Sequence, residues 1–378
     1  MAARRDAIVV GVGGMGSAAL YHLARRGRRV LGLERFGVAH DRGSSHGHSR
    51  IIRLAYYEHP SYVPLLRRAY DLWDALAAER GDRLLLRTGS IDASTPGHDV
   101  FEGSLRSCEL HDVPHEVLDG ESLARRFPGY RFPREARALF QRDGGILDPE
   151  ACVTAHVAGA LAHGAELRTG ERVLSWERRE DGVRVTTDAG VYDASRLVLS
   201  PGAWTGALAP ELARLAIPER QVVAWFQPRH PEMFAPERFP VFNVGFDEGR
   251  YYGFPRFGVD GFKIGRYHHL GERVDPETID RVVHARDIAP LAEFTARWFP
   301  DAAGPAIDAG VCMFTNSPDE HFVIDHVHDE RVVVAAGFSG HGFKFCSVVG
   351  EIVADLALDG GTRHDVALFR LGGADGGR

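Results

Sequence analysis

Cysteine is scarce. Four residues, Cys108, Cys152, Cys312 and Cys346, stand in a chain of 378. No two form a Cys-x-x-Cys pair, which excludes a zinc ribbon and a thioredoxin-type motif, and four thiols in so long a chain are not a disulfide framework. Free thiols in a reducing compartment follow, and the expected location is the cytoplasm. Basic charge is not in excess either: 45 Lys and Arg against 52 Asp and Glu leave a net charge of −7. Such a chain lacks the bulk attraction that nucleic acid needs, so no nucleic-acid partner is expected. No apolar run reaches the roughly 18 residues that cross a bilayer. Met1-Ala-Ala-Arg-Arg-Asp6 leads straight into a strand-like segment, so neither a membrane span nor a signal peptide is expected. Repeats and low-complexity tracts are missing. What is left is an ordinary globular composition, 44% hydrophobic and 26% charged, at a length that suits one large domain or two interleaved ones.

The first forty residues carry the clearest pattern. Residues 7–12, Ala-Ile-Val-Val-Gly-Val, form a short apolar run suited to a buried parallel strand. Gly11-Val-Gly13-Gly14-Met15-Gly16 follows, then Met15, Ala19 and Leu23 on one helical face, with Gly27 as a stop. A second strand runs from Arg29 to Glu34. The glycines fit G-x-G-x-x-G. Gly11 allows the tight turn, Gly13 leaves room for a pyrophosphate, and Gly16 lets helix and strand pack closely. The helix N-terminus turns its positive end to the phosphates. A carboxylate at Glu34 accepts ribose hydroxyls and disfavours a 2′-phosphate. This fingerprint does not separate NAD from FAD.

Further on, Arg42-Gly-Ser44-Ser-His46-Gly-His48-Ser49-Arg50-Ile-Ile-Arg53 is a polar loop leading into an apolar pair. Two arginines three apart share one face of a helical turn. His46-x-His48 without Cys, Asp or Glu nearby is a poor ligand set, and no metal is expected. A helix is predicted over 62–80 and another over 151–163. Strands are predicted over 172–176, 183–187 and 196–199, with a sharp turn at Ser200-Pro-Gly202-Ala-Trp204. Residues 216–300, rich in aromatics and proline, read as antiparallel strands. The expected fold class is α/β: a Rossmann-type nucleotide domain of residues 1–85, 142–215 and 305–378, interleaved with an antiparallel-sheet substrate domain of 86–141 and 216–304. The tail from Leu371 to Arg378 is expected to fray.

A second strand, glycine turn and helix close the chain: Val332 to Ala336, Gly337-Phe-Ser-Gly340-His-Gly342-Phe343-Lys344, then Phe345 to Leu358. Lysine at a helix start opposes the dipole and needs a negative partner. An anionic reduced flavin is one such partner. An ordinary βα loop is the plainer reading.

The block from Val311-Cys312 to Asp325, then the turn ending at Lys344, resembles the monomeric sarcosine oxidase and N-methyl-tryptophan oxidase family of FAD-dependent amine oxidases. Gly43 to Arg53, and Tyr251-Tyr252-Gly-Phe-Pro255 with Lys263, resemble it too. The likeness runs through nearly the whole chain. It implies a glutathione-reductase-like, D-amino-acid-oxidase-like fold and FAD bound covalently through its 8α-methyl group to Cys312. The substrate carboxylate falls to Arg53 and Lys344, Arg50 stands near the flavin, Tyr252 lies over the substrate, and Lys263 promotes oxygen reduction. The cofactor cradle is expected from Gly11, Gly13, Gly14, Met15 and Gly16, with Glu34 and Arg35 after the second strand. Ser44, Ser49 and Arg50 add to it from the polar loop, Val173, Gly202 and Trp204 from the middle, and Gly340, Gly342, Phe343 and Lys344 from the last turn. The family often has a histidine four residues after its lysine. Here Tyr267 stands there and His268 comes next, so the role is assigned to His268.

The implied activity is oxidation of an N-methyl or cyclic secondary α-amino acid to an imine, with hydrogen peroxide from O₂, by a monomer. The rivals are a flavin dehydrogenase using another acceptor, an NAD-dependent dehydrogenase, and a nucleotide-binding protein without catalysis.

Overall fold

The structure, a computed structural model, describes residues 4–371. Its first layer is a sheet whose core strands run parallel. Arg5–Val10 pairs with Val30–Leu33 on one side and with Val191–Leu199 on the other. Asp329–Ala336 joins Val191–Leu199, again in parallel. Ala7–Val10, Leu197–Leu199 and Val332–Ala336 are apolar and buried because both faces of the sheet are covered there. Against them lie the helices Gly14–Arg25, Pro149–Ala162 and Cys346–Asp359, and Val348, Ile352 and Leu356 of the last are fully buried. The first strand ends at Val10, so Gly11 and Val12 belong to the turn. Gly27 adopts φ +73, as a left-handed helix stop requires.

The predicted helix over 62–80 matches Tyr62–Arg80, with Leu65, Ala69, Leu72 and Leu76 inward. Asp148 caps Pro149–Ala162 by accepting from the Ala151 N–H at 2.9 Å. Arg50 and Arg53 do not lie on a helical turn. Arg50–Ile52 is a strand, paired antiparallel with Gly145–Leu147. Two adjacent β-branched isoleucines favour the extended form, and Arg53 follows directly after the strand.

The second layer is an eight-stranded sheet, antiparallel apart from one pairing, between Ser90–Ser94 and Val241–Phe246. Its members in the aromatic stretch are Ile217–Phe226, Val241–Phe246, Gly249–Phe254 and Phe262–Arg266, and a helix, Ala285–Trp298, follows them. Ala306–Asn316 was expected in the nucleotide layer. It pairs along its length with Ile217–Phe226 instead, and so belongs to this sheet. One face of the sheet packs Phe242, Phe262, Ile264 and Tyr251 into a core of their own. The other faces the first layer across a cavity. At the end of the chain, the Leu371 N–H donates to Asp325 at 2.9 Å, and the rest of the tail expected to fray lies outside the described residues.

Candidate active site

The cavity between the layers, about 380 Å³, runs from the glycine turn and Glu34 to Arg53 and Lys344. Strand pairing decides what lines its sheet side. Residues opposite one another across a ladder share a face. Asp92 pairs with Asn243, Asn243 with Tyr252, Tyr252 with Gly265, Gly265 with Val223 and Val223 with Gly310. This forms one row across six strands. Phe254, Lys263 and Trp225 form the next row, and Cys312 lies two residues along from Gly310. Gly265 is needed in its row: a Cβ there would meet the Tyr252 ring at 2.5 Å.

At the nucleotide end, Gly11, Gly13, Gly14, Met15, Glu34, Arg35, Val173, Gly202 and Trp204 line the cavity. Gly16 does not. A Cβ on it would lie 1.8 Å from the Gly11 carbonyl, so its work is close packing. A Cβ on Gly13 would meet only Ser45 Oγ, at 3.8 Å. The helix Gly14–Arg25 has no acid in its first turn, and its Gly14 N–H donates to Ser45 Oγ at 3.1 Å. Glu34 is buried and accepts from the Val12 N–H at 2.8 Å and the Phe36 N–H at 2.9 Å. Arg35 forks onto Glu277, which also accepts from Trp204 Nε1 at 2.8 Å. Nothing in the sequence pointed to Glu277, which comes from the other layer.

In the middle, the Lys263 ammonium is 2% exposed. It donates to the Gly47 carbonyl at 2.6 Å and to Ser49 Oγ at 2.9 Å, over the rings of Trp225 and Phe254. Burial and the Arg50 charge push its pKa far down. Arg50 donates to the Ser49 and Ser44 carbonyls at 2.7 Å and comes within 4.0 Å of Cys312 Sγ. Burial raises the Cys312 thiol, but His46 and Arg50 beside it outweigh that and bring it down to about 7. Phe343 lies beneath the Arg50 guanidinium, 6.0 Å away, and Gly340 and Gly342 complete the wall. A Cβ on Gly340 would strike the Phe314 ring at 2.4 Å.

At the far end Arg53 is 1% exposed. Its Nε donates to Asp92 and its second nitrogen to Glu58, both at 2.9 Å, with Tyr56 and Tyr57 against the guanidinium. Burial opposes its charge, and the two carboxylates overcome this. Burial nevertheless lifts Asp92 to about 6. Lys344 donates to the His341 carbonyl at 2.6 Å, and burial with the Arg53 charge lowers it to about 7. Glu58, Asp92 and Asn243 carried no local signal in the sequence.

His268 does not line the cavity; Tyr267 does. Lys263 and Tyr267 are four apart, an even step, and so keep one face of an extended chain. His268 takes φ +56 after the strand ends at Arg266. It turns between Glu219 at 3.0 Å and Glu320 at 2.9 Å, which raise it to about 9. The assignment to His268 is therefore corrected: it is an ion-paired histidine outside the cavity wall. Among the described residues no cluster of three metal-ligating side chains is found.

A family model described as FAD dependent oxidoreductase matches residues 6–356. The chain belongs to that family. A monomeric sarcosine oxidase of Streptomyces avermitilis is 46% identical over 96% of each chain. An N-methyl-L-tryptophan oxidase of Salmonella arizonae is 36% identical, over 97% of this chain and 98% of its own. Among solved structures, the open form of NikD, an unusual amino acid oxidase essential for nikkomycin biosynthesis, superposes with a TM-score of 0.84. It is 27% identical over 97% of each chain.

The residues present fit FAD. The open face of Gly13 and a helix start without an acid in its first turn suit a pyrophosphate. Glu34 suits a ribose, and Arg50 and Lys263, which among the described residues form no ion pair, suit an electron-rich ring. An NAD-dependent dehydrogenase is not the reading for this family. No helix of the described residues is long and apolar enough to cross a membrane.

Proposed function

We propose that this FAD-dependent oxidoreductase is an oxidase of secondary α-amino acids, N-methylated or cyclic, with O₂ as acceptor and FAD joined covalently to Cys312. The carrying observation is one cavity holding cations at two places: buried Lys263 and half-buried Arg50 beside Cys312, and buried Arg53 with Lys344 at the far end. FAD, held by the glycine turn, Glu34 and Cys312, would supply the two-electron chemistry: acceptance of a hydride from the C–H beside the amine and its passage to O₂ as peroxide, leaving an imine that water hydrolyses.

The chain's own groups orient and charge-match. Arg53 and Lys344 hold the substrate carboxylate through charge-assisted hydrogen bonds. Tyr252 and Tyr267 wall the space between that clamp and Lys263, excluding water. The amine reacts unprotonated, and among the described residues neither Asp92 nor Glu58, the carboxylates at that end, lines the cavity to hold its proton. Lys263, bonded only to neutral oxygens, keeps its positive potential for the anion that forms on oxygen. A thiol poised near neutrality, as at Cys312, is a competent nucleophile for the 8α link. The same reading includes action as a single chain in a reducing compartment, where Cys312 stays a thiol until it meets its cofactor.

The test is a panel of secondary amino acids screened for peroxide release, beside acid precipitation of the purified protein. A yellow pellet is expected from wild type and a yellow supernatant from Cys312→Ala. A white pellet from wild type contradicts the covalent link. Loss of flavin colour without peroxide points to another acceptor.

A further inference from the structure

Beside the Tyr252 and Tyr267 rings the cavity wall carries a side-chain amide. Asn243 lines the cavity beside Tyr252, in register between it and Asp92. Its Nδ2 donates to Asp92 Oδ1 at 3.2 Å. The same Asp92 oxygen accepts from Arg53 Nε at 2.9 Å. An ionised carboxylate only accepts, so it fixes which way the amide faces: nitrogen to Asp92, carbonyl oxygen away from it. Among the described residues no donor bonds Asn243 Oδ1, and that atom is not sealed off as Asp92 Oδ2 is. A fixed acceptor thus stands next to the guanidinium that grips the substrate carboxylate.

We infer that Asn243, oriented by Asp92, is a specificity-determining residue that accepts a hydrogen bond from a hydroxyl or N–H on the substrate's side chain. The preferred substrate is then a secondary α-amino acid carrying such a donor close to its carboxylate, and not the bare methylene of sarcosine. This rests on the proposed oxidase reading. When a substrate fills the cavity, water leaves Oδ1. An isosteric apolar side chain would leave that acceptor unpaired, whereas a donor-bearing one satisfies it. A site built to bond a substrate hydroxyl discriminates strongly against the analogue that lacks it.

The experiment compares N-methylserine with N-methyl-2-aminobutyrate, which exchanges the hydroxyl for a methyl. Wild type is expected to favour the serine derivative in kcat/KM by roughly 10- to 100-fold. Asn243→Leu keeps the size and removes the acceptor, and should bring the two within about twofold or invert them. Asp92→Asn frees the amide to turn and should give a reduced preference. That ratio is a readout that a purely structural role of Asp92 would not move. The non-oxidisable ethers 3-hydroxy-2-methoxypropanoate and 2-methoxybutanoate, titrated calorimetrically into wild-type holoenzyme, should show the same order. Equal affinities for the two ethers, or equal kcat/KM for the two amines, would overturn the inference whatever the variants do. Peroxide from neither amine, with the ether preference intact, counts against the oxidase reading and upholds Asn243 as the specificity residue.

Discussion

Lys263 and Arg53 are both buried cations on the wall of one cavity, and they are compensated in opposite ways. Lys263 is bonded to a carbonyl and a hydroxyl. Arg53 is bonded to two carboxylates. The first arrangement leaves an unspent positive field and a weakened hold on the proton. The second fixes a guanidinium rigidly in place at nearly neutral local charge. A field suits charge that develops during a reaction, and a rigid fork suits a carboxylate that is present throughout. Under the proposed function, the contrast suits oxygen chemistry at the middle of the cavity and substrate binding at its far end.

The largest effect expected from breaking that contrast is on Lys263. Lys263→Met keeps the length and removes the charge. Stopped-flow mixing should find anaerobic bleaching by substrate near the wild-type rate, and reoxidation by air slowed about 10²- to 10³-fold. Equal loss in both steps would make Lys263 structural. Unchanged reoxidation would move the role to Arg50.

Next in size, Arg53→Ala should lower kcat/KM about 10- to 100-fold, and should also destabilise the fold. Removing one partner of a buried ion pair costs about 3–5 kcal/mol, because Glu58 and Asp92 are left uncompensated. The double variant Arg53→Ala, Asp92→Asn should recover part of the melting temperature and none of the affinity. Recovery of both would make Arg53 a structural counter-ion.

A smaller effect is on pH dependence. Lys344, lowered to about 7, must be charged to help hold a carboxylate. A carboxylate ligand without an amine should therefore bind progressively more weakly as pH rises above about 7, with a limiting slope of about tenfold per unit. The slope should vanish in Lys344→Met; its persistence there would point to another group.

The smallest effect is at His268. Its folded-state pKa, about 9, lies above the ordinary value of 6.5, so its ion pairs stabilise fully below 6.5 and the contribution is lost as pH rises through 9. His268→Gln should lower the melting temperature most below pH 6.5, progressively less up to about 9 and not above it, with kcat/KM within about twofold. A larger loss of activity would restore a role in the cavity.

The nucleotide end was legible because its chemistry is local. Turn, helix start and acidic strand end lie within residues 11–34, and each glycine follows from backbone geometry. The substrate end was legible only in part. Lys263, Tyr252 and Cys312 came through resemblance, yet what makes them neighbours is register across four strands, which no single stretch encodes. Asp92 and Asn243 are 151 residues apart and meet only because Ser90–Ser94 and Val241–Phe246 pair. The choice of His268 over Tyr267 failed on a rule the sequence did contain: an even step from Lys263 keeps the face, and an odd one leaves it. Likewise, reading Arg50 and Arg53 as a helical pair overlooked the extended preference of Ile51-Ile52.

The most direct test of the account is a single turnover of wild-type protein. Mix it with a secondary α-amino acid without oxygen, follow the visible absorbance, then admit air and measure peroxide. The account predicts that the yellow colour is lost before air and returns after it, with one peroxide formed per imine released. Colour that is lost but does not return in air, or that no amino acid removes, would contradict it.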